Sequence, residues 1–165
     1  NFSIFHDIYI KNNIMKDYFD TNEQQDLQQL YEFNYEKHLF DSIAPCKYSA
    51  QIDCTAKRKD RQFAVEIKHR LIPVNKYKTI MIEDYKYLEL MLEYQFNGKE
   101  PLYINFLNDA VVIFNLLRLK NKPKQKVLDI ESKGYDKTQK LERRYYLDIN
   151  DAVIYNWTWK TQQYS

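Results

Sequence analysis

Hydrophobic and polar positions recur with a period of two in one early stretch of the chain and with a helical period on either side of it. Thr21 with Gln24 three residues on has the form of a capping box, and the pattern predicts a helix from there to about Phe40, ending before Pro45. Tyr48 to Lys57 and Gln62 to Arg70 are short and rich in β-branched or aromatic residues. The charged connector Arg58-Lys-Asp-Arg61 between them predicts a hairpin. Leu71 to Thr79, with Pro73, reads as a connector. Met81, Tyr85, Leu88, Met91 and Leu92 then fall at helical spacing and predict a second helix over Ile80 to Tyr94, with Asn97-Gly98 as its stop. Leu102 to Leu107 and Ala110 to Leu116 read as strands joined by the turn dipeptide Asn108-Asp109. The nearly unbroken apolar run of the second marks it as central and buried on both faces. Lys126 to Glu131 and Arg143 to Ile149 read as a further hairpin around Gly134, and Asp151 to Trp159 as an apolar segment packed on the body. Residues 1–20, with Ile4, Phe5, Ile8, Tyr9 and Ile10, fit a short helix and a strand equally well.

Composition narrows the class without changing this picture. A chain of 165 residues is expected to form one domain with a real core, and 44% hydrophobic residues with two glycines and four prolines exclude a linker-rich or low-complexity chain. The formal net charge of +2 is close to neutral, yet it is unevenly spread. Lys57 to Lys78 holds eight Lys/Arg against two acids, and Arg118 to Lys126 holds five against none, a distribution that suits either a phosphate-facing surface or solvated loops. Two cysteines, Cys46 and Cys54, make neither a disulfide framework nor a zinc cluster and read as buried thiols of a reducing compartment. No apolar run approaches the length of a membrane span. The sequence begins at Asn1 with no signal-peptide pattern, so the expectation is a trimmed chain residing in the cytoplasm.

The chemistry concentrates in the early hairpin. With a period of two, Glu66 and Lys68 share one face of their strand while Val65 and Ile67 point to the other. If Asp53 pairs opposite or diagonal to Glu66, two carboxylates and an ammonium meet on one patch. Hard oxygen ligands of that kind suit Mg2+ or Mn2+, with the lysine placed for a phosphate oxygen or an attacking water. The plain alternative is a cross-strand ion-pair network on a solvated face. Triplets of the form [DE]xK occur three times, at Glu66-Ile-Lys68, Asp84-Tyr-Lys86 and Glu131-Ser-Lys133, and only the first has a strand setting preceded by another acid-bearing strand. Rival constellations are weak. Two glycines cannot build a GxGxxG turn or a P-loop, and His6, His38 and His69 are scattered without metal-ligand spacing.

Asp53, followed after twelve intervening residues by Glu66-Ile67-Lys68, resembles the D…(D/E)xK signature of the PD-(D/E)XK nuclease superfamily, which includes restriction endonucleases and Holliday-junction resolvases. Ile52 stands where the name-giving proline would precede the aspartate. The resemblance spans about residues 23–116 and leaves 117–165 as a C-terminal extension of a single nuclease-like domain. It implies an α/β fold with a restriction-endonuclease-like core: a mixed central β-sheet flanked by helices, here with an additional C-terminal hairpin. It further implies a Mg2+-dependent (or Mn2+-dependent) endonuclease acting on double-stranded or branched DNA, with a homodimer as the usual working form. Asp53, Glu66 and the Ile67 carbonyl would hold metal, and Lys68 would orient water or stabilise the phosphate. Members often carry a glutamate on the preceding helix that completes the metal site. Glu36, flanked by Phe33 and Phe40, fits that role better than Glu32 in its more polar neighbourhood. Lys86, one helix after the ExK strand, matches a position that approaches the scissile phosphate in several branches. Lys57, Arg58, Arg61, Arg70 and Lys76 are the remaining candidates for nucleic-acid contact. The alternative is a nuclease-fold DNA- or protein-binding module without activity.

Overall fold

The computed structural model describes residues 21–47, 50–131 and 139–159. The expected elements at residues 1–20, the Tyr48 end of the first hairpin strand, the turn around Gly134 and the end of the Glu131-Ser-Lys133 triplet therefore lie outside the described residues. In chain order the elements are α1 (Thr21–Lys37), β1 (Ser42–Pro45), β2 (Cys54–Arg58), β3 (Arg61–His69), β4 (Thr79–Glu83), α2 (Asp84–Asn97), β5 (Glu100–Phe106), β6 (Ala110–Asn115), β7 (Lys124–Glu131), β8 (Gln139–Asp148), a 3-10 turn (Ile149–Asp151) and β9 (Val153–Asn156). The fold is α/β, with a six-stranded sheet in the order β1-β2-β3-β5-β6-β9 and a three-stranded sheet in the order β4-β8-β7. The larger sheet is mixed: β3 and β5 run parallel, and the other neighbours are antiparallel.

Alternation along the central strands sorts the core into two layers. Val65, Ile67, Ile104, Phe106, Val111 and Ile113 face α1, where they bury Leu27, Leu30 and Phe33. Ala64, Tyr103, Val112 and Phe114 face the other way, against Leu90 of α2 and Ile80, Ile82 and Leu147 of the second sheet. A strand covered on both faces needs apolar residues at successive positions, and β3 and β6 read that way because both of their faces are covered. β6 is buried as expected but stands one place from the edge, since β9 pairs alongside it.

Three expectations about elements require correction. The predicted helix over Ile80 to Tyr94 begins instead at Asp84, because Thr79–Glu83 is a strand in which Ile80 and Ile82 are buried between half-buried neighbours. Met81 satisfied the helical spacing, but the alternation of Ile80 and Ile82 decided the local structure once β8 supplied a pairing partner. The segment Asp151 to Trp159 contributes a strand to the main sheet rather than merely packing on it. Ser42–Pro45, read as the end of a helix and a loop, pairs with β2 as an edge strand, where a proline is tolerated. The stop at Asn97-Gly98 is as expected. Gly98 takes φ 65 and donates to the Tyr94 carbonyl at 2.9 Å, a left-handed cap that suits glycine.

Candidate active site

The hairpin of β2 and β3 carries the predicted pair. The register sets Cys54 against Val65, so that Asp53 follows on opposite Glu66, and the Asp53 amide donates to the Val65 carbonyl at 3.1 Å. Asp53 turns its carboxylate along the strand end, where Oδ2 accepts from the Ile67 amide at 2.6 Å. The two carboxyl groups lie within hydrogen-bonding reach of one another. Glu66 is 1% exposed, and its neighbour across the parallel β3–β5 pair is Tyr103. Cys54 points the other way into the α1 layer, buried, and its thiol is held well above its ordinary pKa by that burial.

Two ammonium groups divide the Glu66 carboxylate. Lys68 Nζ is 3.5 Å from Oε1, and Lys86 Nζ is 3.0 Å from Oε2. Lys86 comes from the first turn of α2 and also donates to the Gln51 carbonyl at 3.1 Å. The expected cation on the helix after the ExK strand is thus part of the cluster rather than a solvated helix lysine. Burial, reinforced by the Asp53 charge, pushes the Glu66 carboxyl up to about 7 in spite of both lysines. Burial also raises Asp53, against the pull of the Ile67 amide, Lys86 and Lys68. For Lys68, burial works against the charged form, but Glu66, Glu83, Tyr103 and Asp53 outweigh it and lift the ammonium to about 12. Desolvation therefore strains both acids, the Asp53 charge adds to it at Glu66, and the bases are held cationic.

Beyond Lys68 lies a cluster the sequence reading missed. Arg70 donates from Nε to Asn105 Oδ1 at 3.1 Å and from Nη2 to the Met81 carbonyl at 2.7 Å and the Tyr103 hydroxyl at 2.9 Å. Arg70 was expected on the Lys68 face as a phosphate contact; its guanidinium instead ties β3 and β5 to β4. Asn105 is fully buried and is the register partner of Lys68. A polar residue inside the apolar run Leu102-Tyr-Ile-Asn-Phe-Leu107 was the signal that could have found it.

The other expected site residues lie elsewhere. α1 covers the opposite layer and runs from the Phe106 end of the sheet toward the Phe63 end, as Phe33 meets Phe106 and Phe40 meets Phe63. Glu36 near its end accepts from Trp157 Nε1 at 3.1 Å, and Glu32 accepts from Trp159 Nε1 at 2.9 Å. The fold does not bring Glu36 to the Asp53–Glu66 pair, because the aromatic flank that suggested a buried role faces the wrong layer. Lys57, Arg58 and Arg61 sit at the turn end of the hairpin, and Arg61 is bound to Glu100 through two hydrogen bonds of 2.7 and 2.6 Å. Lys76 is exposed in the connector after β3, a segment pinned to the β5–β6 turn by Val74 N–H on Asp109 at 2.8 Å, and therefore stands at the carboxylate end. Among the described residues no group of three or more His, Cys, Asp or Glu side chains could hold a metal. Two crowded carboxylates are nonetheless a donor set that suits a Mg2+ ion completed by water and substrate oxygens.

No family model and no curated protein matches the chain. Among solved structures it is similar to that of Hjc from Archaeoglobus fulgidus, a Holliday junction resolvase from an archaeal hyperthermophile, with a TM-score of 0.46 and 14% sequence identity over 72% of this chain and 86% of that one.

Proposed function

We propose that the chain is a metal-dependent endonuclease of the PD-(D/E)XK type that hydrolyses DNA phosphodiester bonds. The observation that carries this reading is the meeting of the Asp53 and Glu66 carboxyls at one strand end with Lys68 and Lys86 on either side. Asp53, Glu66 and the Ile67 carbonyl would hold Mg2+ or Mn2+, and the raised Glu66 fits a site whose acids await a cation. A divalent ion there supplies Lewis acidity toward the scissile phosphate and a water of lowered pKa. Lys68, held cationic beside the pair, stabilises charge that develops on the phosphate, and Lys86 offers a second cation to the same group. Double-stranded and branched DNA are both candidate substrates, and a homodimer is a candidate working form.

One observation favours a second reading, an inactive nuclease-fold binding module. Lys68 and Lys86 already occupy both Glu66 oxygens, and no third acid joins the pair among the described residues. Incubation with supercoiled, linear and four-way-branched DNA, in Mg2+, Mn2+ or EDTA, separates the two. Metal-dependent nicking, lost in EDTA, is expected. Binding of DNA without cleavage under every metal condition would establish the module instead.

A further inference from the structure

Two buried polar atoms near Lys68 have no partner: Asn105 Nδ2 and Glu83 Oε2. They are of opposite kind. Arg70 can only donate, so its bond to Asn105 fixes the amide oxygen on the arginine side and leaves the NH2 group as the free end. Glu83 immediately precedes α2 but makes no side-chain bond to the helix it caps, so its carboxylate is not spent on the orphan amides there. Glu83 lies close enough to Lys68, Tyr103 and Arg144 to act on each electrostatically. Asn105 stands across the β3–β5 ladder from Lys68, and Arg70 links Asn105 to the Tyr103 hydroxyl and the Met81 carbonyl two residues before Glu83. An unpartnered donor on the strand neighbour of Lys68 thus stands with an unpartnered acceptor whose charge acts on the same ammonium, and a buried polar atom left dry is costly. Such a place suits an ordered water, which needs two to four polar partners.

We infer that Asn105 and Glu83 hold one structural water against Lys68 Nζ and thereby position this lysine beside the Asp53–Glu66 pair. Water accepts from Asn105, donates to Glu83 and takes a further bond from the ammonium, so all three groups are satisfied at once. Neither Asn105 nor Glu83 touches substrate; both are positioning residues, and their kinetic consequence rests on the nuclease reading above. Held this way, Lys68 would keep a second anchor if Glu66 coordinated a metal ion.

A crystal structure of the wild-type protein at high resolution tests the water directly. Density is expected at about 2.7–3.2 Å from Asn105 Nδ2, Glu83 Oε2 and Lys68 Nζ. A dry gap, or a direct Asn105–Glu83 bond, overturns the inference. Kinetics test the role, using Glu83→Gln, which keeps volume, and Asn105→Asp, which removes the donor and keeps an oxygen for Arg70. Each should lower kcat about tenfold with KM unchanged, the size usual for groups that orient a reacting side chain. A rise in KM at constant kcat, or no change in a folded Glu83→Gln protein, refutes positioning of Lys68. A wild-type protein that cuts no substrate would sink the nuclease reading, and the water site would then stand or fall on the density alone.

Discussion

The two ends of the β2–β3 hairpin are built from the same residue types and behave oppositely. At the turn, Arg61 and Glu100 form a two-bond pair in which the arginine side chain is 39% exposed, and Asn115 adds a third donor to the same carboxylate at 2.9 Å. Hydrogen bonds from Arg61 hold Glu100 below its ordinary pKa. About 17 Å away along β3, at a rise of roughly 3.3 Å per residue, Glu66 is paired with two lysines yet pushed up to about 7. The difference is solvent and company: Glu66 is buried with Asp53 beside it, whereas Glu100 is only partly buried and its hydrogen bonds from Arg61 and Asn115 outweigh that burial. Ion pairing alone marks no functional site. A carboxylate that remains destabilised after pairing is the informative one.

The largest expected effect breaks the carboxylate end. Asp53→Asn or Glu66→Gln should reduce metal-dependent cleavage at least a thousandfold, about 4 kcal/mol of barrier, with the melting temperature unchanged or raised because a repulsive pair has been relieved. Lys68→Ala should be comparably inactive yet still bind Mn2+, since lysine is not a ligand. Arg61→Ala at the turn end should cleave within about twofold of wild type. Plasmid-nicking rates and calorimetric Mn2+ titration of the four variants decide this, and a Glu66→Gln protein cutting at wild-type rate would dissociate the acid pair from activity.

The next effect is on stability. Glu66 has a folded pKa of about 7 against an ordinary 4.5, so the folded state binds this proton more tightly than the unfolded state. Its contribution is fully present below about pH 4.5 and is lost as pH rises through 7. The metal-free protein should therefore lose up to about 3 kcal/mol from this group between those limits. Denaturant titrations of wild type and Glu66→Gln at several pH values isolate the contribution as a difference. It should vanish in the variant, and Mg2+ should restore stability to wild type at pH 8 by binding the folded form. A parallel pH dependence in both proteins would mean that Glu66 ionises freely.

At the turn end the corresponding loss is smaller. Glu100→Gln should cost no more than about 1 kcal/mol, because an ion pair with a substantially exposed arginine is screened by water and salt. A larger loss would show that Asn115 and Arg61 lock the strand start more firmly than exposure suggests.

The hairpin and the side of β3 that bears Glu66 were legible from the sequence pattern, as were the β5–β6 pair and the Gly98 stop; the register, left open between Asp53 opposite and Asp53 diagonal to Glu66, was not. The carboxylate meeting could be anticipated because a period of two leaves few geometries. What the chain did not disclose depends on distant partners. Lys86 was singled out only by the resemblance, and nothing in its own helix distinguished it from a solvated lysine until the start of α2 was set over Glu66. Arg70 looked like a phosphate contact until β4 offered it the Met81 carbonyl. Ile80 and Ile82 settled into a strand only because β8, more than sixty residues later, lies alongside. Local periodicity reports which face is apolar; it does not report what covers that face.

The smallest expected effect on cleavage, shared with Arg61→Ala, concerns the face that α1 covers. Glu36 and Glu32 lie one turn apart, and each accepts one indole N–H, from Trp157 at 3.1 Å and Trp159 at 2.9 Å. Both bonds join α1 to the segment after β9, in the layer opposite Glu66. Removing either carboxylate should therefore cost about 0.5–1.5 kcal/mol of stability through the lost indole bond, and more for the half-buried Glu32, which also loses a bond from Gln28, than for the exposed Glu36. Cleavage by Glu36→Ala and Glu32→Ala should stay within about twofold of wild type. A Glu36 at the metal, as the resemblance implied from its aromatic flank, would instead give about a tenfold loss for Glu36→Ala. If that tenfold loss were measured with stability unchanged, α1 would have to swing its C-terminal turn toward Asp53 when metal binds. Tryptophan fluorescence would then shift on Mn2+ addition in wild type, because Trp157 would lose its acceptor, and would not shift in Glu36→Ala.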